Sequence, residues 1–510
     1  MSIQNSMVRH TLLLSLASVW MRGVSMLFQV WLSRRMGAGG IGLLQLIQTV
    51  GFFAATLGTA GVRVASMYLA AQERGRHSPA GVRQATVCCL RYGCMVSLCA
   101  GTALFFAAPW ISRFWLAAPE AALPLRLFGI FLPVSCLCSV LGGWFTACVK
   151  IKQLTLVEIL MQLVVLAAAA LFLSRCRTPA QSCCAIMLAN GLGDSCMLLV
   201  LYTLYRLAQR GVPAQTRPGM WRQLLRLCLP LAGSDLLRSG LSTAEHLMIP
   251  RGLAAFGLRQ QGAMAAYGVI HGMVFPILMF PATLLYALAD LLVPELARCS
   301  AANSHTRIHY LTSRCLKMGL LFACAVAGLL YCIAAPLAEV IYDEPLAGRY
   351  LQLFAPLVLM LYPDAIVDSM LKGLGQQVAS VRYNSITSAL DILLLGISLP
   401  RWGMDGYFWS FTITHGVNFF LSIRRLLRLT HHSPEPAFCA KAMGAAALTA
   451  LFCRVLLTGL PAALAVLAGA IGYLLLFSGI LLLSGAMGRA ELQWLRQLIR
   501  GSPPGETTGI

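Results

Sequence analysis

Arg22 stands inside one long apolar run and Arg63 inside the next, within Thr59-Ala60-Gly61-Val62-Arg63. A charge near the centre of a bilayer costs at least about 2.5 to 3.5 kcal/mol on insertion scales, so it faces a partner or a cavity. A guanidinium stays charged when desolvated and donates in a planar fork that matches phosphate oxygens. Arg22 and Arg63 are therefore candidate ligands for a diphosphate, with pairing to a carboxylate or to helix-end carbonyls as the structural alternative. Arg238 and His271, in later runs, extend the candidate binding set. Asp235 lies one helical turn before Arg238, where an internal ion pair competes with ligand contact. His271 alone is equally a packing histidine. Asp364 and Asp368 are spaced i, i+4 on one helix face, as a coupling cation or proton would need, although a pair near a helix end is also easily solvated. The remaining carboxylates of the apolar runs are Glu158, Asp194, Asp235, Glu245, Asp290 and Asp391.

The elements that must hold these groups are membrane helices. Apolar residues make up 58% of the 510 and charged residues 11%, against roughly a quarter charged in an ordinary soluble protein. About fourteen apolar spans follow one another between residues 11 and 483, most near the roughly 20 residues that cross the hydrocarbon. The second runs over 41–70 and the eighth over 264–293. The fold class is all-α integral membrane.

A net charge of +21 raises nucleic acid as a partner, but that needs a basic reading face, and here the arginines fall between spans. With the N-terminus inside, inward segments hold 24 Lys and Arg and outward segments 10, which sets both termini in the cytoplasm. Arg9 before an apolar run resembles a signal peptide, yet the run lacks a small-residue cleavage site and carries Arg22, so it reads as the first membrane helix. The 18 cysteines sit mostly inside spans with no C-x-x-C pair, as small packing residues do. Pro133, Pro230, Pro276, Pro281 and Pro356 fall inside spans and predict bent helices.

The chain also repeats. Ala107-Ala108-Pro109, Ala118-Pro119-Glu120 and Leu125-Arg126-Leu127-Phe128 are echoed by Ala334-Ala335-Pro336, Glu344-Pro345 and Leu351-Gln352-Leu353-Phe354, about 226 residues later. That is six spans on, so both copies share one orientation, a recurring transporter plan.

Several segments then resemble one family. They are Ala266-Tyr267-Gly268 through Gly272-Met273-Val274-Phe275-Pro276, Phe280-Pro281, and Leu291-Leu292-Val293-Pro294-Glu295-Leu296-Ala297. Arg34-Arg35-Met36-Gly37 with Ile41-Gly42, Met248-Ile249-Pro250-Arg251 and Leu371-Lys372-Gly373-Leu374-Gly375-Gln376 support them. Over roughly residues 8 to 430 the chain resembles the stage V sporulation protein B-like polysaccharide transporters of the multidrug/oligosaccharidyl-lipid/polysaccharide exporter superfamily.

The resemblance implies two six-helix lobes around a central cavity, residues 1–215 and 216–430, with two extra helices and a short tail in 431–510. It implies a flippase for polyprenyl-diphosphate sugars, such as peptidoglycan or spore-cortex precursors, working by alternating access in the bacterial cytoplasmic membrane. In similar lipid II flippases, arginines of helices one, two and eight line the cavity; Arg22 and Arg63 match the first two, and helix eight has only His271. The expected partners are a lipid-linked oligosaccharide, membrane lipids and a monovalent cation or proton, with no nucleic acid, no cofactor or metal, and a monomeric state.

Rival readings stay open here. A cation-coupled drug antiporter would share the fold but prefer carboxylates in its first half, where only Glu158 and Asp194 face Arg22 and Arg63. A membrane glycosyltransferase would need a larger outward loop. A non-transporting scaffold in spore-wall assembly is the third. For the orientation, a cysteine at position 217 is expected to react only with reagent supplied from the cytoplasmic side; labelling from outside would invert the topology.

Overall fold

The structure is a computed structural model that describes residues 2–213, 219–433 and 435–485. The basic tail residues Arg489, Arg496 and Arg500, and Arg217, lie outside the described residues.

Every element is helical, as the bilayer demands of a chain whose backbone groups find no water to bond. The α-helices are α1 (Ser2–Thr59), α2 (Val62–Gly75), α3 (Pro79–Trp110), α4 (Ala122–Ala147), α5 (Ile151–Leu173), α6 (Pro179–Ala208), α7 (Met220–Ala255) and α8 (Gln260–Val269). They continue as α9 (Phe275–Met279), α10 (Ala282–Ala301), α11 (His305–Tyr342), α12 (Pro345–Phe354), α13 (Val358–Gly373), α14 (Gln377–Thr430), α15 (Pro436–Leu456) and α16 (Ala462–Leu483).

Two of these are too long for one crossing. At 1.5 Å per residue, the 58 residues of α1 would reach about 87 Å, far beyond a hydrocarbon core of roughly 30 Å. Gly37, at φ 70 and ψ 173, breaks α1 into two passes, and Gly403, at φ 55 and ψ −129, does the same to the 54-residue α14. Both conformations are open to glycine and costly for a side chain. Counted this way the described residues form fourteen long helices. By length and composition ten described helices are apolar enough to cross. The others are the second pass merged into α1, the polar helix α7, and the two halves of α14.

The second pass differs from the expected unbroken 41–70. Ala60 (φ 40) and Gly61 (φ 73) turn the chain between α1 and α2, and a Cβ on Gly61 would stand 2.8 Å from the Leu231 Cβ. Proline placement also splits two ways. Pro276, Pro281 and Pro356 coincide with interruptions, whereas Pro133 and Pro230 lie inside continuous helices.

The 226-residue repeat recurs in the backbone. His77 and Asn303, Ala117 and Asp343, and Val149 and Gly375 are pairs 226 residues apart, and all six are left-handed. Ala118 (φ −133, ψ 86) and Glu344 (φ −130, ψ 100) follow two of them, each preceding a proline that opens the next helix. Equal turns six passes apart mark a duplicated helical plan.

The chain divides into two compact units, residues 1–273 with 388–411, and residues 274–387 with 412–510. In the first, Val62, Leu69, Cys89, Cys136, Val140, Leu224 and Cys228 form a buried cluster. In the second, Cys324, Cys332, Cys453, Tyr473 and Phe477 do. All eighteen cysteines are unbridged and ten are buried, in keeping with small apolar packing groups.

The tightest crossing is between α1 and α8. A Cβ on Gly268 would lie 2.0 Å from the Ala38 carbonyl oxygen, and one on Gly42 would lie 2.2 Å from that of Met264. Small residues at such crossings let helix backbones meet. Gly268→Ala is expected to destabilise by about 1 to 3 kcal/mol, read as a lower melting temperature in detergent. Gly233→Ala, with nothing within 4 Å of the new Cβ, should stabilise by about 0.5 to 1 kcal/mol.

Candidate functional site

The expected binding residues fall at two places in the first unit. At one place, α1 and α5 lie side by side. Gln162 Nε2 donates to Ser25 Oγ at 3.4 Å, and Arg35 Nη2 donates to the Leu173 carbonyl at 2.8 Å. Both helices advance by nearly the same number of residues between these contacts, so they run parallel and in register. Arg22, three residues before Ser25, is therefore level with Glu158, four residues before Gln162. Arg63 joins them from the first turn of α2, where it interacts electrostatically with Glu158. Arg22 and Arg63 are exposed side chains and Glu158 is half-buried.

The local fold explains the placement of Arg63. The turn at Ala60–Gly61 ends α1 and starts a new helix, whose N-terminal end carries unpaired backbone N–H groups and a partial positive charge. Glu158 is thus a counter-charge to Arg63 beside the start of that helix.

At the second place, Arg238 lines a cavity of about 580 Å³ with Asp235, Ser242, Glu245, His246, Thr49 and Ser388. Thr56 Oγ1 donates to Ser239 Oγ across it at 3.3 Å. The lining reaches Thr59, the last residue of α1, four residues before Arg63.

His271 belongs to the same region. Residues Ile270–Val274 form a π-helical turn, a distortion frequent at functional sites, and Gln29 Nε2 donates to the Gly272 carbonyl at 3.1 Å. The His271 ring stands 4.7 Å from that of His246 and 4.6 Å from that of Tyr267. Its Nε2 is 3.3 Å from the Tyr407 hydroxyl, and Tyr267 Oη is 3.3 Å from His246 Nδ1.

Sequence reasoning named Glu245 and Asp391 without assigning them a role, met Tyr267 only as part of a family segment, and passed over His246, Tyr407 and Ser410. Glu245 and Asp391 are within hydrogen-bond reach of each other, and Ser410 Oγ donates to Asp391 Oδ1 at 2.9 Å. Two carboxyls so close repel each other when both are charged. The adjacent Glu245-His246 pair inside an apolar run was the available signal.

Asp364 and Asp368 are in the second unit. Asp368 accepts from Ser380 Oγ and pairs with Lys372 Nζ at 2.6 Å. Asn418 Nδ2 donates to Asp364 Oδ2 at 3.0 Å, while Asp364 Oδ1 and Asn418 Oδ1 are buried with no hydrogen-bond partner among the described residues. Of this pair, Asp364 keeps unused coordinating capacity.

Ionisable groups kept among membrane spans mark the path or the site of a polar ligand or ion. The family model for polysaccharide biosynthesis proteins matches residues 7–283, more than half of the chain, and the MatE model matches residues 253–396. The chain belongs to the polysaccharide biosynthesis protein family, within the MOP superfamily of transporters, and is not an enzyme. Stage V sporulation protein B of Bacillus subtilis (strain 168) is 23% identical over 419 residues, covering 79% of this chain and 80% of that one. Among solved structures, the lipid II flippase MurJ in an inward closed conformation has a TM-score of 0.70 at 13% identity, over 96% of this chain and 100% of that one. An inward-facing multidrug resistance MATE family transporter has a TM-score of 0.60 at 15% identity, over 80% and 95%. The fold is the one these transporters share.

The Arg63–Glu158 interaction is measurable. A double-mutant cycle with Arg63→Gln and Glu158→Gln is expected to give a coupling of about 0.5 to 3 kcal/mol in thermal unfolding; strict additivity would separate the two side chains.

Proposed function

We propose that this protein flips polyprenyl-diphosphate-linked sugars, of the kind that build peptidoglycan or spore cortex, across the bacterial cytoplasmic membrane. The observation that carries the reading is the level shared by Arg22, Arg63 and the N-terminal end of α2, which brings two guanidiniums and a helix N-terminus to one height. A diphosphate offers the negative charge and the acceptor geometry that arginine and a helix N-terminus fit. The name of the lipid II flippase supports this reading, and that of the sporulation relative supports a role in the spore.

In this account both termini are cytoplasmic and the monomer alternates access by rocking its six-helix lobes, residues 1–215 and 216–430, with the two helices of 431–510 as an addition. Arg22 and Arg63 hold the diphosphate while the polyprenyl tail stays in lipid. Arg238 and His271 meet the sugar or the distal phosphate from the neighbouring cavity. No covalent bond changes.

The driving ion is taken at Asp364, with Asp368 as its neighbour, or at the Glu245–Asp391 pair. That pair also favours a second reading, a cation-coupled small-molecule antiporter of the same fold.

Arg22→Gln and Arg63→Gln are each expected to lower flipping of a labelled lipid-linked precursor by about 10- to 100-fold, the worth of a charge-assisted hydrogen bond. The readout is leaflet accessibility in proteoliposomes at equal protein levels. Unchanged flipping in the double variant would remove the diphosphate reading. Flipping-null wild type with cation-dependent drug efflux would favour the antiporter, and neither activity would favour a scaffold.

A further inference from the structure

The two halves of the repeat each carry a cleft at the same set of positions, filled differently. In the second unit, Leu316, Lys317, Leu320, Pro363, His432 and Glu435 line the cleft. The first unit has Leu90, Arg91, Cys94, Leu137, Arg206 and Gln209, each 226 residues earlier. The match extends the duplicated turns into side-chain positions.

The second cleft is closed by the protein's own chain. Phe438, Cys439 and Met443 of α15 lie along its wall. Glu435, at the start of that helix, meets Lys317 Nζ at 2.8 Å, and the same ammonium stands 5.4 Å from the centre of the Phe438 ring. The occupant is therefore an anionic head on an apolar body.

The first cleft has no such helix among its lining residues. It is about 870 Å³ in volume and is formed by α3, α4, α6 and the segment after α6. Arg83, Arg91, Arg206 and Arg210 line it with Tyr202 and Tyr205, and among the described residues no Asp or Glu does. Arg83 is engaged by the Val212 carbonyl, and the Arg206 guanidinium lies 5.9 Å from the Tyr202 ring. Tyr205, only 4% exposed, leaves its hydroxyl buried without a hydrogen-bond partner among the described residues, and so does Gln209 Oε1. The rest of the wall, Leu90, Leu137, Leu141, Leu198 and Leu199, is apolar. A buried hydroxyl donor beside several guanidiniums asks for an acidic acceptor, and the leucines ask for hydrocarbon.

We propose that this cleft binds an anionic phospholipid of the surrounding bilayer, its phosphodiester held by Arg91, Arg206, Arg210 and the Tyr205 hydroxyl and one acyl chain laid on the leucine wall. The lipid does in the first half what Glu435 and α15 do in the second. Basic pockets between membrane helices are a recurring form of anionic-lipid site. It is distinct from the level of Arg22 and Arg63, because its arginines lie on α3, α6 and the turn after α6 rather than on α1 and α2.

The test uses the full-length, delipidated protein in neutral detergent and native mass spectrometry. It is titrated with phosphatidylglycerol, phosphatidylcholine of the same chains, a polyprenyl phosphate, and soluble glycerol phosphate. Phosphatidylglycerol is expected to bind at least about tenfold more tightly than phosphatidylcholine. The R206Q/R210Q variant should lose about tenfold or more of that affinity, at about a factor of five for each charge. R206K/R210K should keep it, and R424Q/R428Q, which removes two exposed charges from α14, should bind as the wild type does.

Equal binding of the two phospholipids, or undiminished binding by R206Q/R210Q with its melting temperature intact, would overturn the proposal. So would equal loss in R424Q/R428Q, which means general surface charge, or full competition by glycerol phosphate, which means a free-phosphate site. Preference for the polyprenyl phosphate over phosphatidylglycerol would also overturn it, by giving the cleft to the carrier lipid. If R206Q/R210Q melts early, R210Q alone decides by the same comparison.

Discussion

Hydrocarbon offers a charged or polar group nothing to bond to, and most of the side-chain arrangement of this protein follows from that constraint. Several ionisable residues within the passes have a partner among the described residues. Asp368 has Lys372, Asp391 has Ser410, and Glu158 has Arg63. Where the local balance is uneven, a binding capacity results. Two arginines and a helix end at one level offer an anion its donors, and a cleft lined by arginines, with no carboxylate among its described lining residues, offers them to another.

The duplicated plan sharpens this. Three left-handed turns repeat at a fixed interval of 226 residues, so the two halves began with the same scaffold and the same clefts. They have diverged in what fills them. The second half folds α15 and α16 against α11, with the Tyr473 hydroxyl donating to the Cys324 carbonyl at 3.1 Å over Gly328. In the first half, cationic side chains accumulate at the corresponding positions. A duplicated fold thus supplies its own control: what one copy satisfies internally, the other takes from outside.

Much of the fold was legible because hydropathy is a local property, and a run of about 20 apolar residues has one stable answer in a bilayer. The passes, the repeat and the candidates Arg22 and Arg63 followed from runs, intervals and misplaced charge. The interruption at Ala60–Gly61 did not, since Gly61 is one glycine among 45 and its left-handed turn depends on the approach of Leu231. The Glu245–Asp391 pair and its ring of His246, His271, Tyr267 and Tyr407 join α7, α8 and α14, and a window along one helix cannot see a partner on another. Asp368 was the converse case: Lys372, one turn on, was in plain view, and i, i+4 pairing absorbed the charge.

The central claim is that Arg22 and Arg63 are the diphosphate ligands. Cryo-electron microscopy of the full chain with a lipid-linked diphosphate sugar tests it most directly. The diphosphate oxygens should lie about 3 Å from both guanidiniums. A diphosphate bound away from both arginines, with Arg63 still turned to Glu158, would contradict the account.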